Sequence, residues 1–323
     1  MGAGFVYWEG TPPNNVNGDK DSMVMYQKLT ELLDPKDLLK DEPLSQHTTY
    51  KIGGKADYFV TPRDVESLRS VISLCREYKI PYYIIGNGSN LLVGDKGFRG
   101  VIIQIFHNIS EVRREENRLY VEAGALLSKI ANIALNNHLK NLEFASGIPG
   151  TFGGAVMMNA GAYGGEMKDV IERVRVIDEE GEFKVLTLED LELGYRTSIL
   201  TRKPYVVVDG ILKLEPGNHQ EILDLMEDYK ERRTSKQPLE FPSAGSTFKR
   251  PAGYFAGKLI ADSGLAGFQV GGARVSEKHC GFVVNTGEAK ALDVISLMEQ
   301  VADKVEKRYG VRLEPEVRLV GEF

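Results

Sequence analysis

The sequence lacks the features of disulfide-rich, membrane-spanning and nucleic-acid-binding proteins. Its 323 residues include only two cysteines, Cys75 and Cys280, too few for a disulfide framework or a metal cluster. No apolar run approaches the roughly 20 residues that span a bilayer. The formal net charge of −6 at pH 7 argues against the basic excess of a nucleic-acid-binding protein. We therefore expect a cytoplasmic protein without a metal and without a membrane, nucleic-acid or obligate protein partner.

Motifs of several other classes are also missing. The sequence contains no Walker motif, no HExxH and no closely spaced pair of histidines, so neither a P-loop enzyme nor a metalloprotease is expected. Its N-terminus has no basic region followed by an apolar one, which argues against a signal peptide. Cys75 falls on the apolar face of a predicted helix, and this position favours a buried, unreactive thiol.

Glycine, in contrast, is concentrated in Ala145–Glu166, which reads ASGIPGTFGGAVMMNAGAYGGE and contains seven glycines. Because each glycine inside a helix costs about 1 kcal/mol relative to alanine, we expect no regular helix here. The stretch is too apolar for a solvated linker, and an ordinary turn would need only one or two glycines. The composition therefore indicates backbone that lies flush against a flat or anionic ligand.

A second glycine-rich loop follows a short β-prone run, Tyr82–Ile85, in the segment PYYIIGNGSN. A strand that leads into such a loop can direct backbone N–H groups at phosphate oxygens. Because Asn-Gly also marks hairpins, this loop alone is weak evidence. Together with the longer stretch, it indicates two loops that grip one large ligand.

Five separated segments resemble the UDP-N-acetylenolpyruvoylglucosamine reductase family, in the family's order. They are IIGNGSNLLV, GIPGTFGGAVMMNAGAYGGE, LGYRTSIL, SAGSTFKRP and LEPEVR, and the resemblance covers roughly Asp41 to the end of the chain. It implies non-covalently bound FAD, NADPH as the hydride donor and a nucleotide-sugar substrate, UDP-N-acetylglucosamine enolpyruvate. The implied reaction passes a hydride from flavin N5 to the enolpyruvyl group and completes the muramic acid precursor of bacterial peptidoglycan.

The resemblance also implies an α+β fold: a two-part FAD-binding region of the vanillyl-alcohol-oxidase (PCMH) type and a third, α+β substrate-binding domain. We expect a mobile leader over 1–22, FAD-binding subdomains over 23–105 and 106–216, the substrate-binding domain over 217–312, and a C-terminal strand over 313–323 that returns to the active site. Pro216-Gly217 marks the break before the substrate domain. Because Leu214-Glu215 leads straight into this break, we expect the family branch that lacks the substrate flap.

Apolar periodicity and turn residues predict the elements around these loops. Helices are expected at Met23–Leu33, after a cap at Thr61, and at Leu126–His138, Asn218–Lys236, Gly253–Ser263 and Ala289–Arg308. Strands are expected at Asp57–Val60, Tyr82–Ile85, Val101–Ile105, Leu119–Gly124, Arg173–Asp178, Glu182–Thr187, Tyr205–Leu214 with an interruption at Asp209-Gly210, Gly281–Asn285 and Leu313–Val320.

Three residues match the family's catalytic positions. Arg196 matches the arginine that holds the substrate carboxylate, for which a planar guanidinium is suited, although an isolated arginine is more often part of a structural ion pair. Ser246 matches the proton donor to the substrate carbon, although spacing alone would make it a turn residue. Glu316 matches the catalytic glutamate.

The choice of Glu316 depends on the resemblance, because Glu314 points the same way on a strand and the residue pattern cannot separate the two. Burial near the flavin would raise the pKa of Glu316 and let it act on the developing enolate as a neutral acid. The alternative is an exposed strand residue that pairs with Arg318.

The other site assignments concern binding. For the cofactor we expect Tyr50, Gly53, Gly86, Asn87, Gly88, Ser89, Asn90, Gly124, Gly147, Ile148, Pro149, Gly150, Gly153, Gly154, Asn159 and Gly161. For the substrate's diphosphate and carboxylate we expect Arg232, Arg233, Lys236 and Arg250. The first three belong to a basic cluster that could equally be a solvated helix end. Arg250 stands where the family often has Asn.

Two other functions remain as alternatives. An oxidase of the same flavin-binding fold often attaches its flavin through His or Cys, and neither glycine-rich loop contains one. A non-catalytic nucleotide-sugar-binding module would explain the glycines and the basic cluster, but not the combination of Arg196, Ser246 and Glu316. His47 could suggest a catalytic base, yet a lone histidine in a turn is more often structural.

Overall fold

The structure, a computed structural model, describes residues 18–323, with side chains from Val24 onward. Its helices are α1 Gly18–Leu32, α2 Val65–Glu77, α3 Leu127–Asn136, α4 Phe152–Met158, α5 His219–Lys236, α6 Ala256–Asp262 and α7 Ala291–Tyr309. Its strands are β1 Leu38–Pro43, β2 Lys55–Val60, β3 Tyr82–Ile85, β4 Leu91–Val93, β5 Phe98–Gln104, β6 Val112–Glu115, β7 Arg118–Glu122, β8 Leu139–Lys140, β9 Gly161–Ala162, β10 Gly165–Glu166, β11 Ile171–Ile177, β12 Phe183–Thr187, β13 Val206–Lys213, β14 Glu215–Pro216, β15 Gln269–Val270, β16 Ala273–Val275, β17 Val283–Asn285 and β18 Arg318–Val320.

Two sheets share one hydrophobic core. The first has the order β1-β2-β5-β3, with β5 parallel to both neighbours, and the second has the antiparallel order β12-β11-β13-β7-β6. Leu68, Ile72 and Cys75 of α2 are buried in the same core cluster as Val174 and Val208 of the second sheet. The predicted helix face that carries Cys75 is therefore buried as expected, and the strands predicted at Arg173–Asp178 and Glu182–Thr187 form as β11 and β12, which pair with each other.

The third region has its own core around α6, α7 and the sheet β15-β16-β17. Tyr50, Ile52 and Leu92 also belong to this core, although they come from the first region of the chain. From here the chain returns and β18 pairs in parallel with β4, directly after the first glycine-rich loop. The C-terminal segment therefore joins the two regions beside that loop.

The prediction that Ala145–Glu166 contains no helix is wrong, because α4 lies within it. Phe152 and Gly153 donate backbone hydrogen bonds to the carbonyls of Ala125 and Ala123, each at 2.8 Å. A Cβ on Gly153 would lie 3.2 Å from the Ala123 Cβ, so glycine lets the helix sit directly on the second sheet. Tertiary contacts thus offset the helical penalty of glycine.

Two local predictions also fail for identifiable reasons. The cap of α2 is Asp64 rather than Thr61, since the Asp64 carboxylate accepts from the Ser67 N–H at 2.7 Å. Strand β13 is not interrupted at Gly210. A Cβ on Gly210 would lie 2.7 Å from the Phe152 ring, so glycine there makes room for that side chain.

The ends of the chain differ from the expected elements. Helix α1 begins at Gly18, which makes Gly18–Ser22 helical, and residues 1–17 of the expected leader lie outside the described part. Only Arg318–Val320 of the predicted Leu313–Val320 is a strand. Upstream of it, Pro315 forms an isolated bridge with Phe248. Nine strands were not predicted, namely β1, β4, β6, β8, β9, β10, β14, β15 and β16.

Residues 214–218 alone separate β13 from α5, and the assignment to the branch without the flap remains a prediction. Ile222 and Met226 of α5 pack against Ala131 and Leu135 of α3. The domain division at residue 217 remains a prediction, and this packing favours placing α5 with the second subdomain. Among the described helices, none is both long and apolar enough to cross a bilayer.

Candidate active site

A cavity of about 360 Å³ lies where the two glycine-rich loops meet the third region. We call it the loop cavity. The predicted site residues that line it are Gly86, Asn87, Gly88, Ser89, Asn90, Ile148, Pro149, Gly150, Gly154, Gly161, Arg196, Arg233, Ser246 and Glu316. The structure therefore brings together all three expected catalytic residues and most of the expected loop residues.

The two glycine-rich loops are fixed to each other and to the turn after β1. Asn87 donates from its side-chain amide to the Pro149 carbonyl at 2.7 Å. Gly88 has φ +61 and lies so close to His47 that a Cβ would stand 2.2 Å from the His47 carbonyl oxygen. The first glycine-rich loop therefore presents backbone and small side chains to the cavity. Such a surface can approach the phosphates and the flat ring of a dinucleotide closely.

Arg196 and Glu316 form an ion pair in the cavity wall. The Arg196 Nε donates to the Glu316 Oε1 at 2.6 Å. Arg196 has φ +55 in a tight turn, closed by two hydrogen bonds between Gly194 and Thr197. A left-handed conformation is uncommon for a residue other than glycine, and such strain is frequent at functional sites. The turn fixes where the guanidinium can reach.

The environments of Glu314 and Glu316 differ sharply. The Glu316 side chain is 13% exposed, whereas the Glu314 side chain is 72% exposed and pairs with Lys249 at 3.3 Å. Burial raises the pKa of Glu316, and the neighbouring Arg196 guanidinium opposes part of that rise. The alternative pairing with Arg318 is wrong, because the Arg318 guanidinium instead contacts the Met158 sulfur at 3.3 Å.

Several expected cofactor residues do not line this cavity. Tyr50 is buried, and its hydroxyl donates to the Val283 carbonyl at 2.9 Å. Asn159 is also buried, and it ends α4 in a left-handed conformation while its amide binds Glu166. The glycines in this group are Gly53, Gly124, Gly147 and Gly153. None of these six residues is among those that line the loop cavity.

Only Arg233 of the basic cluster lines the loop cavity. Its partial burial lowers the pKa of the guanidinium, and within the described residues no carboxylate pairs with it. Arg232 instead pairs with Asp228, and Lys236 is exposed. Arg250 also lies apart from the cavity, with its guanidinium 3.9 Å from the Phe255 ring centroid. The predicted four-residue binding set is therefore not assembled in this conformation.

Sequence analysis missed other residues that line the loop cavity, among them Arg318, Met158 and Gln237. Arg318 lies in LEPEVR but was considered only as a partner for Glu316. A second cavity of about 930 Å³ is also lined by Arg196 and Glu316, and it shares Arg318 and Met158 with the first. The ion pair therefore lies in the wall of both cavities.

His47 and the cysteines behave as structural groups. His47 is 2.8 Å from a Glu42 carboxylate oxygen and stacks on Phe59 at 4.0 Å between ring centroids. Both cysteines are buried and free, and burial raises the pKa of Cys75 to about 12. Over residues 18–323, no group of three or more His, Cys, Asp or Glu side chains is arranged to hold a metal ion.

Comparison with known proteins finds relatives of both the glycine-rich region and the third region. A family model described as an FAD binding domain matches residues 56–187, and one described as the C-terminal domain of UDP-N-acetylenolpyruvoylglucosamine reductase matches residues 237–320. The reductases of Alkaliphilus oremlandii and Clostridium perfringens are 54% and 52% identical, over 94% and 93% of this chain and 99% and 98% of theirs.

A solved structure agrees. The crystal structure of the reductase from Thermus caldophilus is 36% identical with a TM-score of 0.74, and the match covers 88% of this chain and 98% of that one. The α+β fold expected from the sequence is confirmed by this neighbour and by the FAD-binding model. The chain therefore belongs to the UDP-N-acetylenolpyruvoylglucosamine reductase family.

Proposed function

We propose that Arg196, Ser246 and Glu316 act together on the enolpyruvyl group in this family's reaction. The chain is an FAD-dependent oxidoreductase that uses NADPH to reduce UDP-N-acetylglucosamine enolpyruvate to UDP-N-acetylmuramate in peptidoglycan precursor synthesis. When bound, FAD would supply the hydride that reduces the enolpyruvyl group. The observation that supports the residue roles is the partly buried Arg196–Glu316 pair in the cavity that Ser246 also lines.

Each role follows from the chemistry of the side chain. Negative charge develops on the substrate's second carbon and its carboxylate, and the Arg196 guanidinium offers a fixed donor for that carboxylate. Burial raises the pKa of Glu316, so the protonated carboxyl, which can donate a hydrogen bond to the developing enolate, is easier to form than in an exposed glutamate. Ser246 gives its hydroxyl proton to the carbon.

The cofactor's phosphates are assigned to the first glycine-rich loop, with Gly86, Asn87, Gly88, Ser89 and Asn90. Ile148, Pro149, Gly150, Gly154 and Gly161 form the opposing surface of the loop cavity. Tyr50, Gly53, Gly124, Gly147, Gly153 and Asn159 do not line the cavity, and we assign them to shaping the segments that do. The hydrogen bond between Asn87 and Pro149 supports this division, since it fixes the separation of the two loops.

For the substrate, Arg233 is the strongest diphosphate ligand, because it is a partly buried cation in the cavity. Arg232, Lys236 and Arg250 could contribute only if their side chains turn toward the cavity when substrate binds. We also place the reaction in the cytoplasm, where NADPH and nucleotide sugars are available, and we propose that the chain needs no obligate protein or nucleic-acid partner.

The test is to observe the flavin in two steps without air. Adding NADPH should bleach the yellow colour, and adding UDP-N-acetylglucosamine enolpyruvate should restore it. Arg196→Lys should still bleach but should recover slowly, because lysine lacks the planar fork that holds a carboxylate. Normal recovery in this variant would remove Arg196 from the proposed site. A non-catalytic nucleotide-sugar-binding module would give neither colour change.

A further inference from the structure

Ser246 and Glu316 lie far apart in the chain, but a single residue, Thr247, links their backbones. Thr247 follows Ser246 directly, and its side chain is buried, with 3% of the residue exposed. The Thr247 carbonyl accepts a hydrogen bond from the Glu316 N–H at 2.8 Å. The residue that follows the proposed proton donor thus holds the proposed acid.

The Thr247 side chain makes a second connection, to β17. Its hydroxyl oxygen accepts a hydrogen bond from the Val283 N–H at 2.9 Å, and its backbone N–H donates to the Gly281 carbonyl at 2.8 Å. Because Val283 is buried, its N–H could not turn to water if the hydroxyl were removed. Three separate chain segments therefore meet at this single residue.

The same strand is fixed to the FAD-binding region. The Val283 carbonyl accepts from the Tyr50 hydroxyl at 2.9 Å, while the Asn285 amide donates to the Tyr50 carbonyl at 3.1 Å. Hydrogen bonds therefore run without a gap from the turn beside the first glycine-rich loop, through Val283 and Thr247, to Glu316.

We propose that Thr247 is a positioning residue that sets the distance between the Ser246 hydroxyl and the Glu316 carboxyl. This proposal rests on the roles assigned to Ser246 and Glu316. Those two groups must act on neighbouring parts of one small enolpyruvyl group, so their separation matters. Flavin reduction by NADPH needs neither group. A disturbed Thr247 should therefore damage only the half-reaction with the enolpyruvyl substrate.

The principal variant is Thr247→Val, which keeps the size and branching of the side chain but removes the hydroxyl. Because a misplacement of about 1 Å can slow a reaction ~10²-fold, we expect reoxidation by saturating substrate to slow about 10- to 100-fold. Reduction by NADPH and the Kd of the substrate should each change less than about 3-fold, as expected for a change in transition-state geometry. Single-turnover absorbance measures both half-reactions.

Two further variants separate positioning from general stability. Thr247→Ser retains the hydroxyl and should restore most of the reoxidation rate. Ser276→Ala is the matched control, because Ser276 is also buried in the third region and its hydroxyl accepts the N–H groups of Lys278 and His279, each at 3.2 Å. This control should leave both half-reactions near the wild-type rates.

Amide hydrogen exchange supplies a readout that does not depend on turnover. In Thr247→Val, the peptides that contain Val283 and Glu316 should exchange faster, while peptides of the second sheet should be unchanged. If Thr247→Val gives no flavin-loaded protein, Thr247→Ala is measured in the same way and the same difference between half-reactions is expected.

Several results would overturn the proposal. Normal reoxidation in Thr247→Val, alongside slow reoxidation in Ser246→Ala, would leave Thr247 as a packing residue only. Equal defects in Thr247→Ser and Thr247→Val would show that retaining the hydroxyl does not restore the rate, and would assign the effect to packing around residue 247 rather than to the hydrogen bond. Normal reoxidation in Ser246→Ala itself would instead remove the proposed role of Ser246, and the positioning role would fall with it.

Discussion

The side-chain amide of Asn90 donates a hydrogen bond to the backbone carbonyl of Glu316 at 3.3 Å. The Asn90 carbonyl in turn accepts from the Arg318 N–H at 3.0 Å. Asn90 closes the first glycine-rich loop, and Glu316 is the proposed acid. The expected cofactor loop and the segment that carries Glu316 are thus hydrogen-bonded directly, so a substitution in one should alter the position of the other.

Asn90→Ala should therefore affect both flavin binding and catalysis. The substitution removes a hydrogen bond worth about 1 kcal/mol in net stability, so we expect a several-fold weaker FAD affinity together with slower reoxidation by substrate. Flavin release on dilution and single-turnover reoxidation measure the two effects. A loss of FAD affinity with normal reoxidation in the flavin-saturated variant would mean that the bond to Glu316 has no catalytic effect.

The pKa of Glu316 predicts the pH dependence of substrate reduction. Burial raises this pKa above its ordinary value of 4.5, so the neutral acid persists to higher pH than in an exposed glutamate. Reoxidation by substrate should be fast below the raised pKa and should fall as pH rises through it. Glu316→Gln stays neutral at every pH, so it should be slower but should lack this fall.

The raised pKa of Glu316 also predicts how the stability of the folded protein depends on pH. Because the folded state favours the neutral carboxyl, this contribution to stability is fully present below the ordinary pKa and is lost as pH rises through the raised one. The difference in thermal stability between wild type and Glu316→Gln should therefore grow in favour of the variant as pH rises. A constant difference would show that Arg196 fully compensates for burial of the charge.

Short motifs that resemble the family selected the three residues that we propose as catalytic. Arg196, Ser246 and Glu316 each lie in a segment whose resemblance is specific, and all three line one cavity. The alternation of a strand could not separate Glu314 from Glu316. Their difference arises because the Glu316 side chain faces Arg196, a contact that depends on a turn far away in the chain.

The failed predictions also involve contacts between segments that are distant in the chain. The penalty for glycine in α4 is local, whereas the hydrogen bonds from Phe152 and Gly153 that offset it reach another element. In α5, helical spacing places Arg233 on the face of Ile222 and Met226, which packs on α3, while Arg232 points elsewhere. That spacing was available in the sequence and would have selected Arg233 from the cluster.

Flavin binding should be tight but non-covalent. The residues that line the loop cavity in the two glycine-rich loops include neither His nor Cys, the groups that attach flavin in many enzymes of this fold. Acid precipitation should leave the yellow colour in the supernatant. Colour that remains with the precipitated protein after washing would contradict this expectation.

NADPH and the enolpyruvyl substrate should compete for the loop cavity, because Arg233 is the only basic-cluster residue that the described structure places there. High substrate should slow reduction of the bound flavin by NADPH in stopped-flow measurements. Arg233→Ala should weaken both ligands, since a charge-assisted hydrogen bond to phosphate contributes about 1.5–3 kcal/mol. Lys230→Ala on the same helix is the charge-matched control, because Lys230 is exposed and does not line the cavity. Reduction that is indifferent to saturating substrate would mean separate sites.

Ser246→Ala should separate the two half-reactions. Reduction of the flavin by NADPH needs no proton donor at the substrate carbon, so it should proceed near the wild-type rate. Reoxidation by the enolpyruvyl substrate does need one, and general acid catalysis typically contributes ~10²–10⁴-fold, so this step should slow by at least about that factor.

The substitution removes a single oxygen from the turn after Gly245 and leaves Arg196 and Glu316 in place to bind the carboxylate. Substrate affinity should therefore change little, as expected when an interaction is made mainly in the transition state. Single-turnover measurement of each half-reaction is the test. Equal slowing of both would mean that Ser246 is a turn residue whose loss disturbs the flavin cavity. Normal reoxidation would mean that water or another group delivers the proton, and Thr247, which is buried and does not line the loop cavity, would be poorly placed to replace Ser246.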